Sequence, residues 1–246
     1  MRNWIAATIL SLAPFLALGA TGKTITYDVN GQPYEGYYIS PGKDAPLVLM
    51  IHDWDGLTGY EVKRANMLAE KGYAVFAADL FGKGVRPAED ADKRQHTGEL
   101  YKDREKMRAL MIGALETAQS NGANIKNAVA VGYCFGGAAV LELARSGADL
   151  KGFVTFHGGL QTPEGQNYSK TRGSVLIMHG GADTAITMDD FATLAKALET
   201  AGVPYEMAVY GGAPHAFTVF GSDRYREDAD QKSWMLFNRF LEKNLK

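Results

Sequence analysis

The sequence predicts an α/β fold: a mainly parallel central sheet with helices on both faces and an antiparallel hairpin at its N-terminal side. Three observations predict it. Leu47–Ile51, Tyr73–Ala78, Ala128–Val131, Gly152–Phe156 and Val175–Met178 are short, unbroken apolar runs, the pattern of strands covered on both faces. Apolar stripes at helical spacing separate them. The alternation of strand and helix repeats along 246 residues that are 46% hydrophobic, which suits one core with a buried sheet.

Residues 1–20 open with Arg2, run apolar and uncharged from Trp4 to Leu18, and close on Gly19 and Ala20. That order is the pattern of a secretory signal peptide. The run contains Pro14 and is short for a spanning helix. Cleavage near Thr21, a single mature domain at 21–246, a periplasmic or secreted location and no stable membrane insertion are therefore expected. Residues 24–40 carry two alternating bursts around Asn30-Gly31, which reads as a hairpin. Helical stripes follow at Val62, Ala65, Leu68 and Ala69, then from Met107 to Ala118, and then at Phe191, Leu194, Ala195 and Leu198. Tyr205–Tyr210 is a late strand, and the aromatic-rich stretch Asp228–Leu245 is a closing helix. The polar stretch Gly82–Gly98, with Lys93 and Arg94, has no apolar stripe and follows a strand end. It reads as a loop or cap over a site, or as a solvated excursion.

Composition narrows the function classes. Lys plus Arg number 26 against 28 Asp plus Glu, a net charge of −2, so no basic excess points to nucleic acid. One cysteine, Cys134, excludes an internal disulfide and any multi-cysteine metal site.

Cys134 is where chemistry concentrates. Val129 to Gly137 is a buried strand entering Gly-Tyr-Cys-Phe-Gly-Gly and then the helical pattern Ala138–Ala144, the layout of a nucleophile elbow with cysteine in place of serine. A free cysteine is most often a small core residue; the glycines on either side, which a strained turn needs, favour a nucleophile. Such a residue needs a base and an orienting carboxylate, in the chain order nucleophile, acid, histidine. Asp183 follows the strand Val175–Met178 and His215 follows Tyr205–Tyr210, so both fall in loops at strand C-terminal ends, where α/β sheets gather their ligands. Singly, Asp183 reads as a turn or cap residue and His215 as an exposed loop histidine. Together they fit the required order. The amides of Phe135 and Trp54 are the candidate oxyanion donors. His52, Asp53 and Asp55 crowd too closely in sequence for a metal site, and no metal or other cofactor is expected.

Ile51-His52-Asp53-Trp54-Asp55-Gly56, Lys71 to Gly82, Gly132 to Gly137, His179 to Asp183 and Gly212 to Phe217 together resemble the dienelactone hydrolase family of the α/β-hydrolase fold, over nearly all of the mature chain. The resemblance implies a triad of Cys134, His215 and Asp183. It also implies a carboxylate in the oxyanion loop that contacts the thiol and helps it ionise once substrate is bound; family members usually carry Glu there, and the matching residue here is Asp53. It further implies arginines for a substrate carboxylate. None stands in His215-Ala216-Phe217-Thr218-Val219, while Lys93 or Arg94 offers a substitute in the polar stretch. The expectation is a secreted hydrolase that cleaves a small ester, lactone or thioester through an acyl-enzyme, with Phe217 in a pocket for neutral, moderately apolar groups. A non-catalytic binding protein that kept the fold is the alternative.

Overall fold

The computed structural model describes residues 20–246; the expected signal segment lies almost wholly outside them. In chain order the elements are β1 (Lys23–Val29), β2 (Gln32–Ile39), β3 (Pro46–Ile51), α1 (Gly59–Ala69), β4 (Ala74–Ala78), α2 (Asp90–Lys102), α3 (Arg104–Ser120), β5 (Asn124–Tyr133), α4 (Phe135–Arg145), β6 (Gly152–Phe156), β7 (Ser174–Gly180), α5 (Met188–Ala201), β8 (Tyr205–Tyr210) and α6 (Glu227–Leu245). The eight strands form one sheet in the order β1-β2-β4-β3-β5-β6-β7-β8. β1 and β2 pair antiparallel around Asn30-Gly31, β2 meets β4 antiparallel, and every other pairing is parallel. This is the α/β architecture expected, with the N-terminal hairpin at one edge.

The unbroken apolar strands divide their side chains between two cores. Leu47, Leu49 and Ile51 of β3 pack towards α3 and α4, while Val48 and Met50 pack towards α1 and α6. β7 does the same, sending Val175 and Ile177 to α5 and Leu176 and Met178 to α6. Period-two alternation in an all-apolar strand thus supplies both faces. β8 is the outer strand and is only partly buried, consistent with its mixed sequence. Among the described residues no helix is long and apolar enough to cross a membrane.

Two sequence expectations are corrected. The stretch 82–98 is not all loop: its second half begins the thirteen-residue α2. Lys, Arg, Gln and Glu are good helix formers, but only Thr97 and Leu100 of this helix are buried, so no apolar stripe announced it. β5 is also longer than its apolar run, because residues 124–127 extend it beyond the core.

The chain leaves β3 for β4 on one side and returns to β5 on the other, so β3 and β5 are adjacent at a topological switch point. A crevice at the strand C-termini is expected there.

Candidate active site

Cys134 follows β5 and caps α4 with φ 50° and ψ −111°, a strained backbone for a residue with a side chain. The neighbours that make the turn possible lack side chains for steric reasons. A Cβ on Gly132 would sit 2.0 Å from the Gly136 carbonyl oxygen, and one on Gly136 would sit 2.4 Å from that of Ile51. The turn is anchored by the Cys134 amide, which donates to the Phe156 carbonyl at 3.1 Å, and it sets the sulfur at the N-terminus of α4.

His215 and Asp183 arrive from the loops after β8 and β7. His215 Nε2 lies 3.0 Å from Cys134 Sγ, and His215 Nδ1 lies 2.8 Å from Asp183 Oδ2. The other Asp183 oxygen accepts from the amides of Ala185 and Ile186, both at 2.9 Å, which fixes the carboxylate. Burial works against a charge on His215, but the hydrogen bonds to Asp183 and Cys134 outweigh it and raise its pKa to about 10. Asp183 is also partly buried, and there the hydrogen bonds from His215 and the backbone win and hold its pKa below the ordinary carboxylate value. The site is thus built to hold a protonated imidazole between Asp183 and Cys134.

The loop after β3 closes the other side. Neither the Trp54 nor the Phe135 amide donates to a protein acceptor among the described residues, and both residues line the same cavity as Cys134. Asp53 lines it too but makes no hydrogen bond to the thiol. Its Oδ1 accepts from the Asp55 amide at 3.1 Å, and burial, then a hydrogen bond with the Asp55 carboxyl, then the charges of Glu61, Asp55 and Cys134 push its pKa well above the usual carboxylate range. The carboxyl is thus held towards its neutral form and bonded to its own loop. His52 is no metal ligand. Its Nε2 accepts from the Leu80 amide at 3.0 Å and its Nδ1 is 2.6 Å from the Asp53 carbonyl, so both nitrogens are engaged.

The cavity over Cys134 measures about 410 Å³. Trp54, Tyr101, Phe135 and Ile186 supply apolar wall, and Arg94 and Arg224 bring two guanidinium groups to it. Two expectations change here. Phe217 is not part of the wall: it is fully buried, its ring 5.4 Å from those of both His157 and Tyr210. No arginine follows His215 closely, but Arg224, nine positions on in the loop before α6, also lines the cavity, so its wall is not apolar alone. Lys93 stands behind it, with Nζ 5.0 Å from the centre of the Trp54 ring, while Arg94 lies 5.7 Å from that centre and reaches the cavity. Tyr101 was also missed by sequence reading. Its place on the last turn of an unrecognised helix, seven residues after Arg94, was the available signal.

The sequence pattern of the dienelactone hydrolase family matches residues 34–245. The chain belongs to the dienelactone hydrolase family. Membership makes it a hydrolase of the ester and lactone class. Among solved structures, a promiscuous phosphotriesterase resembling dienelactone hydrolase, from metagenomic libraries, shares 27% identity with a TM-score of 0.86, over 93% of this chain and all of that one. A second, designated m3DLH, shares 30% identity with the same TM-score and coverage. A protein of Salmonella typhimurium described as a putative carboxymethylenebutenolidase is 25% identical over 83% of this chain and 80% of its own. The dienelactone hydrolase match spans the elbow, both partner loops and the loop that carries Asp53.

Proposed function

We propose that this dienelactone hydrolase family member cleaves a small carboxylic ester or lactone bearing an anionic group, through an acyl-enzyme on Cys134. The observation that carries the reading is the run of hydrogen-bond distances from Cys134 Sγ through His215 to Asp183, at the floor of an open cavity. In this reading Cys134 Sγ attacks the acyl carbon, and the Phe135 and Trp54 amides hold the resulting oxyanion. The bond to the leaving oxygen breaks as His215 Nε2 hands it a proton. Water then gives a proton to His215 and attacks the thioester; the acid is released and the sulfur leaves as the thiolate beside the protonated His215, the state from which it attacked. Asp183 keeps the imidazole oriented throughout. Trp54 and Ile186 contact the apolar part of the substrate, while Arg94 and Arg224 face its charge.

The apolar N-terminal run supports export of the chain to the periplasm or beyond, with removal of about the first 20 residues. Mass analysis of protein recovered from its host tests this; a retained Met1 would overturn it.

The test of the activity is a panel of esters and lactones of graded size and charge, run on wild type, Cys134→Ala and His215→Ala. Turnover should fall by orders of magnitude in each variant with thermal unfolding close to wild type, and the double variant should be little worse than either. Equal turnover in wild type and Cys134→Ala would refute the reading.

A further inference from the structure

Behind His215 lies a buried polar chain that the chemistry above does not use. His157 is the first residue after β6, fully buried, and it holds φ +40° without being glycine. Its ring stands edge-on to that of His215, with 5.5 Å between centres and 66° between planes. His157 Nε2 is 2.8 Å from Thr218 Oγ1, and that oxygen is 2.7 Å from the Tyr60 hydroxyl. The Tyr60 oxygen accepts from Arg64 Nε at 3.3 Å, and Arg64 is also hydrogen-bonded to the Thr218 carbonyl at 2.9 Å and ion-paired with Asp230. The chain therefore starts at a fixed cation in α1, anchored to α6, and ends against the imidazole of His215.

Proton counting gives this chain a direction. A guanidinium only donates, so the Tyr60 oxygen receives a hydrogen and sends its own to Thr218 Oγ1. The Thr218 hydrogen then has one partner left, His157 Nε2, which must be unprotonated to accept it. The opposite arrangement, with His157 Nε2 donating, would leave both a hydroxyl hydrogen and the Nδ1 acceptor unmet, whereas the first leaves only the Nδ1 hydrogen without a partner among the described residues. His157 is thus the neutral tautomer with its proton on Nδ1. Burial, followed by the charge of His215, also drives its pKa well below 6.5, so it adds no second positive charge beside the imidazolium.

We propose that His157 is a positioning residue for His215, held in one tautomer and one orientation by Arg64 acting through Tyr60 and Thr218. This rests on the reading of Cys134 and His215 as the reacting pair. The rigid neutral ring backs the His215 imidazole, so that Nε2 stays directed at Cys134 while Nδ1 stays on Asp183. Sequence reading gave no role to Tyr60, Arg64 or Thr218, since Tyr60 and Arg64 lie on α1 while Thr218 is 158 residues from Tyr60.

The readout is the pH profile of Cys134 alkylation by iodoacetamide, which needs no substrate. The titratable and charged groups facing the Cys134–His215 pair are Asp183, Asp53, Tyr101, His157, His179, Arg94 and Arg224; those facing His157 are His215, Asp183, Tyr133 and, through the chain, Tyr60, Arg64 and Asp230. Thr218→Val keeps the shape and deletes the hydroxyl. It should move the midpoint of the profile to higher pH by about one unit, a tenfold change in ionisation, because a loosened His215 supports the thiolate less well. Thr218→Ser restores the hydroxyl and should restore the profile, which a purely structural role would not require. If Thr218→Val does not fold, Tyr60→Phe, which removes the donor to Thr218, should shift the midpoint in the same direction by a smaller amount. A profile unchanged in Thr218→Val, or in Tyr60→Phe where the former is unfolded, while His215→Ala shifts it, would overturn this inference alone. A profile unchanged in His215→Ala as well would overturn the reading of the pair on which it rests.

Discussion

The sulfur of Cys134 lies 3.0 Å from Nε2 of His215, a contact made across 81 residues of chain. It exists because β5 and β8 end at the same edge of one sheet, with β6 and β7 between them. The carboxylate of Asp183, brought by β7, completes the line. Each of the three side chains sits in a loop, but each loop begins at the end of a parallel strand of one sheet, which gives the constellation its rigidity.

The elbow should not tolerate a methyl group. Gly132→Ala places a Cβ 2.0 Å from the Gly136 carbonyl oxygen, and backbone cannot yield as a side-chain tip does. A loss of about 3 kcal/mol or more in denaturant unfolding is expected, together with loss of turnover. Wild-type stability and activity in Gly132→Ala would show that the turn relaxes at no cost.

Charge recognition is tested by Arg94→Ala and Arg224→Ala, measured as kcat/KM for a carboxylate-bearing ester against its neutral analogue. Each substitution should lower the value for the anion by roughly tenfold or more and leave the neutral ester nearly unchanged, and added salt should shrink the wild-type preference. Equal losses on both esters would assign the arginines to folding or packing instead.

Asp53 gives a test of protonation. If its carboxyl is neutral at pH 7, Asp53→Asn preserves its hydrogen-bonding shape and should retain most of the Cys134 alkylation rate at that pH. A carboxylate acting as the proton acceptor for the thiol would instead make Asp53→Asn slower by about two orders of magnitude. Alkylation rates at pH 7 separate the two.

Glu61 makes stability depend on pH. It is buried beneath the oxyanion loop, where burial, against the hydrogen bonds from Thr58, raises its pKa from 4.5 to about 7. Between these values the folded protein keeps a proton that the unfolded chain releases. The contribution is therefore full below 4.5 and lost as pH rises through about 7. Glu61→Gln retains the capping acceptor for Thr58 but cannot ionise. From pH 5 to 8 wild type should lose up to about 3 kcal/mol relative to this variant. Parallel pH-stability curves would contradict the assignment.

What the sequence made legible was whatever repeats locally or follows chain order. Unbroken apolar runs marked strands buried on both faces; Cys134 and Asp183 followed such runs, and His215 followed the mixed outer strand β8, each at a glycine-rich loop. The rest depended on tertiary contact. α2 was hidden because one polar helix face and two buried positions leave no stripe. Arg224 was overlooked because an irregular loop, not a fixed spacing, carries it back to the cavity. Phe217 was misplaced because its neighbour His215 faces the site while its own ring turns inwards against His157. The sequence shows that Asp53 is acidic, but the upward push on its pKa comes from its burial and from Asp55 and Glu61 beside it.

The most direct measurement is the intact mass of the protein mixed with an activated ester and quenched within the first turnovers. The account requires one added acyl group, mapped by peptide fragmentation to Cys134, formed in a burst and absent from Cys134→Ala. Turnover of the same ester by Cys134→Ala at the wild-type rate, with no acyl group on any residue of the wild type, would contradict it.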